Sequence, residues 1–273
     1  GDGETGRLGD GEMGRLGEEL LKLSSATTAA LQSLAKENQL TLNTIVQGAW
    51  ALVLNPYSSE TDLVYGVTVS GRPPHLVGSE SMVGLFINTL PVRVQIETED
   101  YLLSWLKQLQ TQLLEIRNFE YSPLVEIQGW SEVPRGLPLF ESILVFENYP
   151  IDRTLQQQES LTIESVTAFD HTNYPLTVTV IPGSELAIAI AYTTCRFDAA
   201  TITRMLGHLQ TLLTGMVTSP QTKLVDLPLL TAAEQAQLLE FNQTLPTIAE
   251  NKLQKGIHQL FEEQANNTNP FSE

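Results

Sequence analysis

At 273 residues, 42% apolar and 17% charged, the chain has the length of one large domain or two modest ones and the composition of a packed globular protein, not a disordered, collagenous or coiled-coil one. Its 15 Lys and Arg against 32 Asp and Glu give a net charge of -17, which disfavours nucleic acid and anionic membrane surfaces, both held by cations. No apolar run of about 18 residues marks a membrane span, the opening residues do not read as a signal peptide, and the single cysteine, Cys195, excludes an internal disulfide or a cysteine-built zinc site and fits a reducing, cytoplasmic compartment.

Residues 2–9 (DGETGRLG) and 10–17 (DGEMGRLG) repeat an octapeptide that differs only at Thr5 and Met13. Asp2, Glu4, Asp10 and Glu12 are regularly spaced, but two copies cannot stack a calcium-binding solenoid, and the repeat reads as a flexible tail. ELLKLS (19–24) reads as a short strand. Ser24 or Ser25 then caps an amphipathic helix over 26–38, with Ala30, Leu31, Leu34 and Ala35 on its inward stripe. A second helix is expected from Asn43 to Leu54, turning Ile45, Val46, Ala49, Trp50 and Val53 inward, with Asn55-Pro56 as its stop.

The β-branched run TDLVYGVTVS (61–70) reads as a buried strand broken by SGRPP (70–74). VRVQI (92–96) alternates as a second strand, and 101–117 carries Leu102, Leu106, Leu109, Leu113 and Ile116 at helical spacing. SILVFENYP (142–150), LTIESVTA (161–168), PLTVTVI (175–181) and ELAIAIAYT (185–193) make a strand-rich run, whose last two members join as a hairpin through Pro182-Gly183-Ser184. Asp198 caps a long helix to about Val217, burying Ile202, Met205, Leu206, Leu209, Leu212 and Leu213. Thr231 and Glu234 match a capping box for a further helix. QTLPTIAENK (243–252) reads as a linker, and IHQLFEEQA (257–265) as a last amphipathic piece. This order predicts an α/β fold, a two-layer sandwich with a mixed, largely antiparallel sheet and packed helices. Regular β-α alternation is absent, which argues against a doubly wound sheet.

Self-contained catalytic chemistry is hard to find. Of the four histidines, His208 and His258 fall on predicted helices and read as helix-surface or core-edge imidazoles. His75 follows two prolines in a loop. His171 neighbours Asp170 just before a strand, a placement favourable for function, although the pair reads as solvated more readily than as a catalytic base. The sequence has no G-x-S-x-G nucleophile turn, no Gly-rich phosphate loop after a strand, and no histidine pair at metal-ligand spacing. Arg196 could lower the pKa of Cys195 beside it, but the thiol reads as incidental.

An ordered series of segments nevertheless resembles the C-terminal lobe of a condensation domain from a nonribosomal peptide synthetase. MVGLFINTLPVRV (82–94) is similar to that family's fifth core motif, with Gly84, Phe86, Asn88, Thr89 and Arg93 in place. TLNTIVQGAWALVL (41–54) and DLVYGVTVSGRPP (62–74) resemble the family's helix and strand upstream of that motif. YSPLVEIQGWS (121–131), LPLFESILVFENYP (137–150), TNYPLTVTV (172–180) and RFDAATITRMLGHLQTLL (196–213) resemble its downstream segments, and DLPLLTAAE (226–234) the exit. The resemblance divides the chain into a repeat tail at 1–17, the lobe at 18–228, and at 229–273 a linker with the start of an adenylation domain.

The resemblance implies a chloramphenicol acetyltransferase-like half-domain and amide formation between two thioester-bound substrates. No cofactor is bound directly, since the substrates ride on phosphopantetheine arms. Peptidyl carrier proteins, a condensation N-terminal lobe and an adenylation domain are the implied partners. The family's H-H-x-x-x-D-G motif, which supplies the amine-handling histidine, does not occur in this sequence. The chain is therefore expected to be a fragment, inactive alone and without a catalytic residue or metal of its own. An exposed apolar lobe interface is expected too. By resemblance, Ser70, Gly71, Arg72, Asn88, Thr89, Asn173 and Tyr174 line the substrate tunnel, and 135–150 includes its floor, with Phe140 and Phe146 read as core. A non-catalytic docking lobe is the rival reading. An epimerisation domain is disfavoured by SGR (70–72), and a free-standing acyltransferase by the missing histidine motif.

Overall fold

Helix and strand periods separate cleanly in the computed structural model, which describes residues 16–70, 78, 81–134, 136–147 and 172–243. The chain divides into two units, Gly1–Leu229 and Leu230–Glu273. In the first, the order is β1 (Leu16–Lys22), α1 (Ser25–Glu37), α2 (Leu42–Ser58), β2 (Asp62–Val69), β3 (Asn88–Gln95), α3 (Leu102–Ile116), α4 (Leu124–Trp130), β4 (Ser142–Phe146), β5 (Leu176–Ile181), β6 (Ala187–Thr193) and α5 (Ala199–Thr218). The second unit contributes α6 (Ala232–Gln243). The predicted pieces at 161–168 and 257–265, residues 2–15 of the repeat, and the linker beyond Gln243 lie outside the described residues. Among the described residues, no helix is long and apolar enough to cross a membrane.

The six strands form one mixed sheet in the order β1-β6-β5-β4-β2-β3. The β5–β6 hairpin is antiparallel, as its turn predicts, and β1 closes on β6 antiparallel from Leu16 opposite Thr193 to Lys22 opposite Ala187. Parallel pairing joins β4 to both β5 and β2, and β3 returns antiparallel on β2. Alternation assigns each strand two faces. Leu63, Tyr65 and Val67 of β2, Val92 and Val94 of β3, Leu144 of β4, Val178 and Val180 of β5, and Ile188, Ile190 and Tyr192 of β6 share one core with the helices. The alternate positions Thr68, Ile143, Val145, Thr177, Thr179 and Ala189 face the other way. The predicted two layers are therefore present in the first unit, with α1, α2, α3 and α5 packed on one side of the sheet.

Local signals start the helices where the sequence places them. Ser24 is the N-cap of α1, accepting from Thr27 N–H at 3.1 Å, and the Asp198 carboxylate accepts from Thr201 N–H at 2.6 Å to start α5. In the second unit, Thr231 N–H and Oγ1 donate to Glu234 Oε2 at 2.9 and 2.8 Å, completing the capping box of α6.

Two expectations need correcting. Asn55-Pro56 does not end α2, which runs on to Ser58 with Pro56 inside it. A proline so near the end removes only the bond to Leu52 O, and the last turn is still closed beyond it: Ser58 Oγ donates to Leu54 O at 2.9 Å, and Ser59, left-handed at φ 60°, donates its N–H to Asn55 O at 2.8 Å. β3 begins at Asn88, four residues before the predicted Val92. Its Pro91 pairs with Gly66, which an edge strand tolerates because the missing N–H can face outward. The short α4 has no counterpart in the sequence reading.

Gly66 is fixed by contact. A Cβ there would lie 2.3 Å from Phe140 Cε2 and 2.8 Å from Ile143 Cγ2. Gly66→Ala is expected to destabilise the fold by about 1–3 kcal/mol through overpacking, measured by denaturant unfolding. An unchanged midpoint would mean that Phe140 yields freely.

Candidate functional site

The sheet face that carries no helix opens onto a cleft of about 770 Å³. Thr68, Val69 and Ser70 come from the end of β2. Ile143 and Val145 come from β4, Thr177 and Thr179 from β5, and Thr172, Asn173 and Tyr174 from the approach to β5. The segment before β3 forms the remaining side with Gly84, Leu85, Phe86, Ile87 and Thr89. The strand order explains this convergence, because β4 lies between β2 and β5 and pairs parallel with both, so that alternate residues of three neighbouring strands form one continuous strip.

Four of the residues singled out by resemblance, Ser70, Thr89, Asn173 and Tyr174, thus share one cleft. Gly71 and Arg72 lie outside the described residues, as do His75, His171 and His258. Asn88 stands apart from the lining. Its Nδ2 donates to Glu120 O at 2.9 Å and Ser122 O at 2.8 Å, while its Oδ1 accepts from Thr89 N–H at 2.9 Å. Both amide hydrogens are engaged, so the side chain brackets the start of β3 to the turn before α4.

The aromatic side of the cleft is supported from beneath. Phe140 is buried, and its ring stacks on Tyr174 with centroids 5.3 Å apart and planes 21° apart. Partial burial pushes the Tyr174 phenol above its ordinary pKa. Glu141, next along, is gripped by Arg196 through two hydrogen bonds of 2.8 and 3.0 Å. Hydrogen bonding to that guanidinium, opposed by desolvation, holds the Glu141 carboxyl below its ordinary value. Both side chains are about half exposed, so the pair contributes geometry more than stability. Arg196 is thereby directed to Glu141, and Cys195 is exposed.

Hydroxyls and apolar groups dominate the described lining, where Glu147 is the one charged side chain. His208 lies in the helical layer, buried on α5 with Nδ1 3.2 Å from Tyr57 Oη, which is the core-edge role its position suggests. Phe146 serves both sides: it packs against the core and borders the cleft. Sequence reasoning missed Thr68, Thr177 and Thr179. The signal was present in TVTV (177–180), where hydroxyls alternate with valines that face the core. Val83 and Leu85 beside the cleft, and Val125 and Trp130 on α4, are exposed apolar side chains.

The family model for the condensation domain matches residues 15–239. The chain belongs to the condensation-domain family. Among curated relatives, it is 47% identical over 249 residues to a linear gramicidin synthase subunit of Brevibacillus parabrevis, a match that covers 91% of this chain and 5% of that synthase. Among solved structures, it matches a four-domain nonribosomal peptide synthetase bound to AMP and glycine, with TM-score 0.69, 21% identity, and coverage of 81% of this chain and 18% of that one. The first condensation domain of the CDA synthetase matches with TM-score 0.62 and 14% identity, covering 82% of this chain and 50% of that one. These structures share the condensation-domain fold with this chain, which spans about half the length of the latter.

Proposed function

We propose that this chain forms one wall of an amide-forming condensation centre in a nonribosomal peptide synthetase, with aminoacyl and peptidyl thioesters as substrates. They would arrive on phosphopantetheine arms of carrier proteins in the cytoplasm, and an N-terminal lobe and an adenylation domain would be the other partners. One observation carries the reading: Ser70, Thr89, Asn173 and Tyr174 converge on a single cleft in a chain of this family. In the reaction, the acceptor nitrogen attacks the donor carbonyl. The C–N bond forms, the C–S bond breaks, the carrier thiol leaves, and the amine gives up a proton.

No imidazole lines the cleft among the described residues, and the sequence contains no His-His pair. The contribution of this chain is therefore alignment. Holding two tethered reactants in register can lower a barrier by about 7–11 kcal/mol. Hydroxyls along the cleft suit the amides and hydroxyl of a pantetheine arm, and the apolar positions suit its methyl groups.

A chain labelled at its threonine methyls and titrated with leucyl-pantetheine amide tests the reading. Shifts are expected at Thr68, Thr89, Thr177 and Thr179. Silence at millimolar probe, or shifts confined to helix α5, would overturn it. Turnover adds a second test. With two loaded carrier proteins the chain alone should form little amide, and a supplied lobe bearing H-H-x-x-x-D-G should raise the yield. Robust product from the chain alone would defeat the division of labour.

A further inference from the structure

We infer that Phe140 is a positioning residue that holds Tyr174 as a fixed wall of the cleft, so that the cleft sorts aminoacyl groups by bulk. This rests on the condensation reading above and specifies how that site chooses its substrate. Phe140 is almost wholly buried, at 5% exposure, and does not line the cleft. Its ring meets two neighbours. The backbone of β2 at Gly66 is so close that a Cβ there would meet Phe140 Cε2 at 2.3 Å. The Tyr174 ring stacks on it with centroids 5.3 Å apart. A stacked aromatic pair has a preferred geometry and is worth more than its buried area alone.

Both ends of the stack are anchored by hydrogen bonds. Behind Phe140, Glu141 is held by the two hydrogen bonds from Arg196, and its carbonyl accepts from Leu176 N–H at 3.3 Å. Around Tyr174, Thr172 Oγ1 accepts from its N–H at 3.3 Å and meets Thr177 Oγ1 at 2.5 Å. Pro175 restricts Tyr174 to extended backbone, and Pro175 O accepts from Thr193 N–H at 3.1 Å. With the backbone fixed on both sides, the remaining freedom of Tyr174 is its side-chain rotation, and Phe140 removes it. The ring then stands as a rigid boundary of the cleft that Thr89 and the segment before β3 also line. A rigid boundary discriminates by size, whereas a mobile one adapts.

The test uses the full chain and two probes, alanyl- and phenylalanyl-pantetheine amide. Phe140→Leu keeps an apolar side chain on Gly66 but removes the stack. Its expected signature is a displaced Tyr174 ring resonance in ¹³C-tyrosine-labelled protein, assigned through Tyr174→Phe. The affinity ratio of the two probes should fall toward unity by roughly two- to tenfold, the range that one aromatic pair contributes. Tyr174→Leu should lose the same ratio, and Phe140→Leu should add nothing in that background, a coupling that a general packing defect would not give. An unmoved resonance with an unmoved ratio overturns the inference, as does an equal effect of Phe140→Leu with and without Tyr174. If both probes bind the unaltered chain without discrimination, the size-sorting inference fails while the condensation reading stands. If neither binds, both fall.

Discussion

Trp50→Ala is expected to lower the unfolding free energy by about 3–5 kcal/mol, whereas Trp50→Phe should cost under about 2 kcal/mol. Trp50 sits mid-way along α2 and is fully buried. Truncation to Ala removes the transfer free energy of the whole indole and leaves a cavity that packed helices cannot close. Phe restores most of that volume. It also removes a liability, because Trp50 Nε1 has no hydrogen-bond partner among the described residues. A buried, unpaired N–H costs about 1–3 kcal/mol of desolvation, and its removal offsets much of the lost ring area. Denaturant unfolding followed by far-UV circular dichroism gives both values without relying on tryptophan emission. If Phe is as damaging as Ala, the indole N–H is paired and the offset is absent.

The layered fold was legible because its helices and inner strands are periodic. Leu31, Leu34 and Ala35, or Ile202, Met205, Leu206 and Leu209, repeat at helical spacing, and Ser24 and Asp198 supply local starts. Element ends were less legible because neighbours distant in sequence decide them. Pro56 stays within α2 because Ser58 and Ser59 still close the last turn beyond it. Pro91 stays within β3 because that strand is the sheet edge, a position no local signal records. α4 is only seven residues long, below the length at which periodicity is distinctive.

The candidate site was legible through resemblance and not through spacing. Ser70 and Tyr174 lie more than a hundred residues apart in sequence and share a cleft because β4 joins β2 to β5 in the sheet. What alternation alone could have shown is the character of the open face. The inward positions of the inner strands are Val, Ile, Leu and Tyr, while Thr68, Thr177, Thr179 and Ala189 alternate with them. These small side chains, beside Ile143 and Val145 on the same face, leave room above the sheet. Phe140 illustrates the opposite limit. Its sequence context marks a core aromatic, and its contact with Tyr174 depends on two loops brought together by parallel pairing of β4 and β5.

Asn88→Asp is expected to destabilise the fold by about 3–4 kcal/mol near neutral pH, and Asn88→Ala by about 2–3 kcal/mol. The ordering separates bracket from bulk. Ala deletes three hydrogen bonds and leaves the Glu120 and Ser122 carbonyls without their donor. Asp has almost the shape of Asn and still accepts from Thr89 N–H. It places an ionised oxygen, however, where Nδ2 now lies 2.8–2.9 Å from two carbonyl oxygens. Repulsion adds to the lost bonds, so the closer mimic should be worse. Protonation reverses part of this, since a neutral carboxyl can donate one hydrogen bond to either carbonyl. The folded state then prefers the protonated acid, and the pKa of the introduced carboxyl rises above the unfolded value of about 3.9. By linkage, that stabilisation is complete below the unfolded pKa and disappears as pH rises through the folded one. Unfolding curves should therefore show the Asp variant closing on the parent as pH falls from about 7 toward about 4, with Asn88→Ala gaining nothing over the same range. Equal loss in the two variants at every pH would show that the bracket contributes only packing.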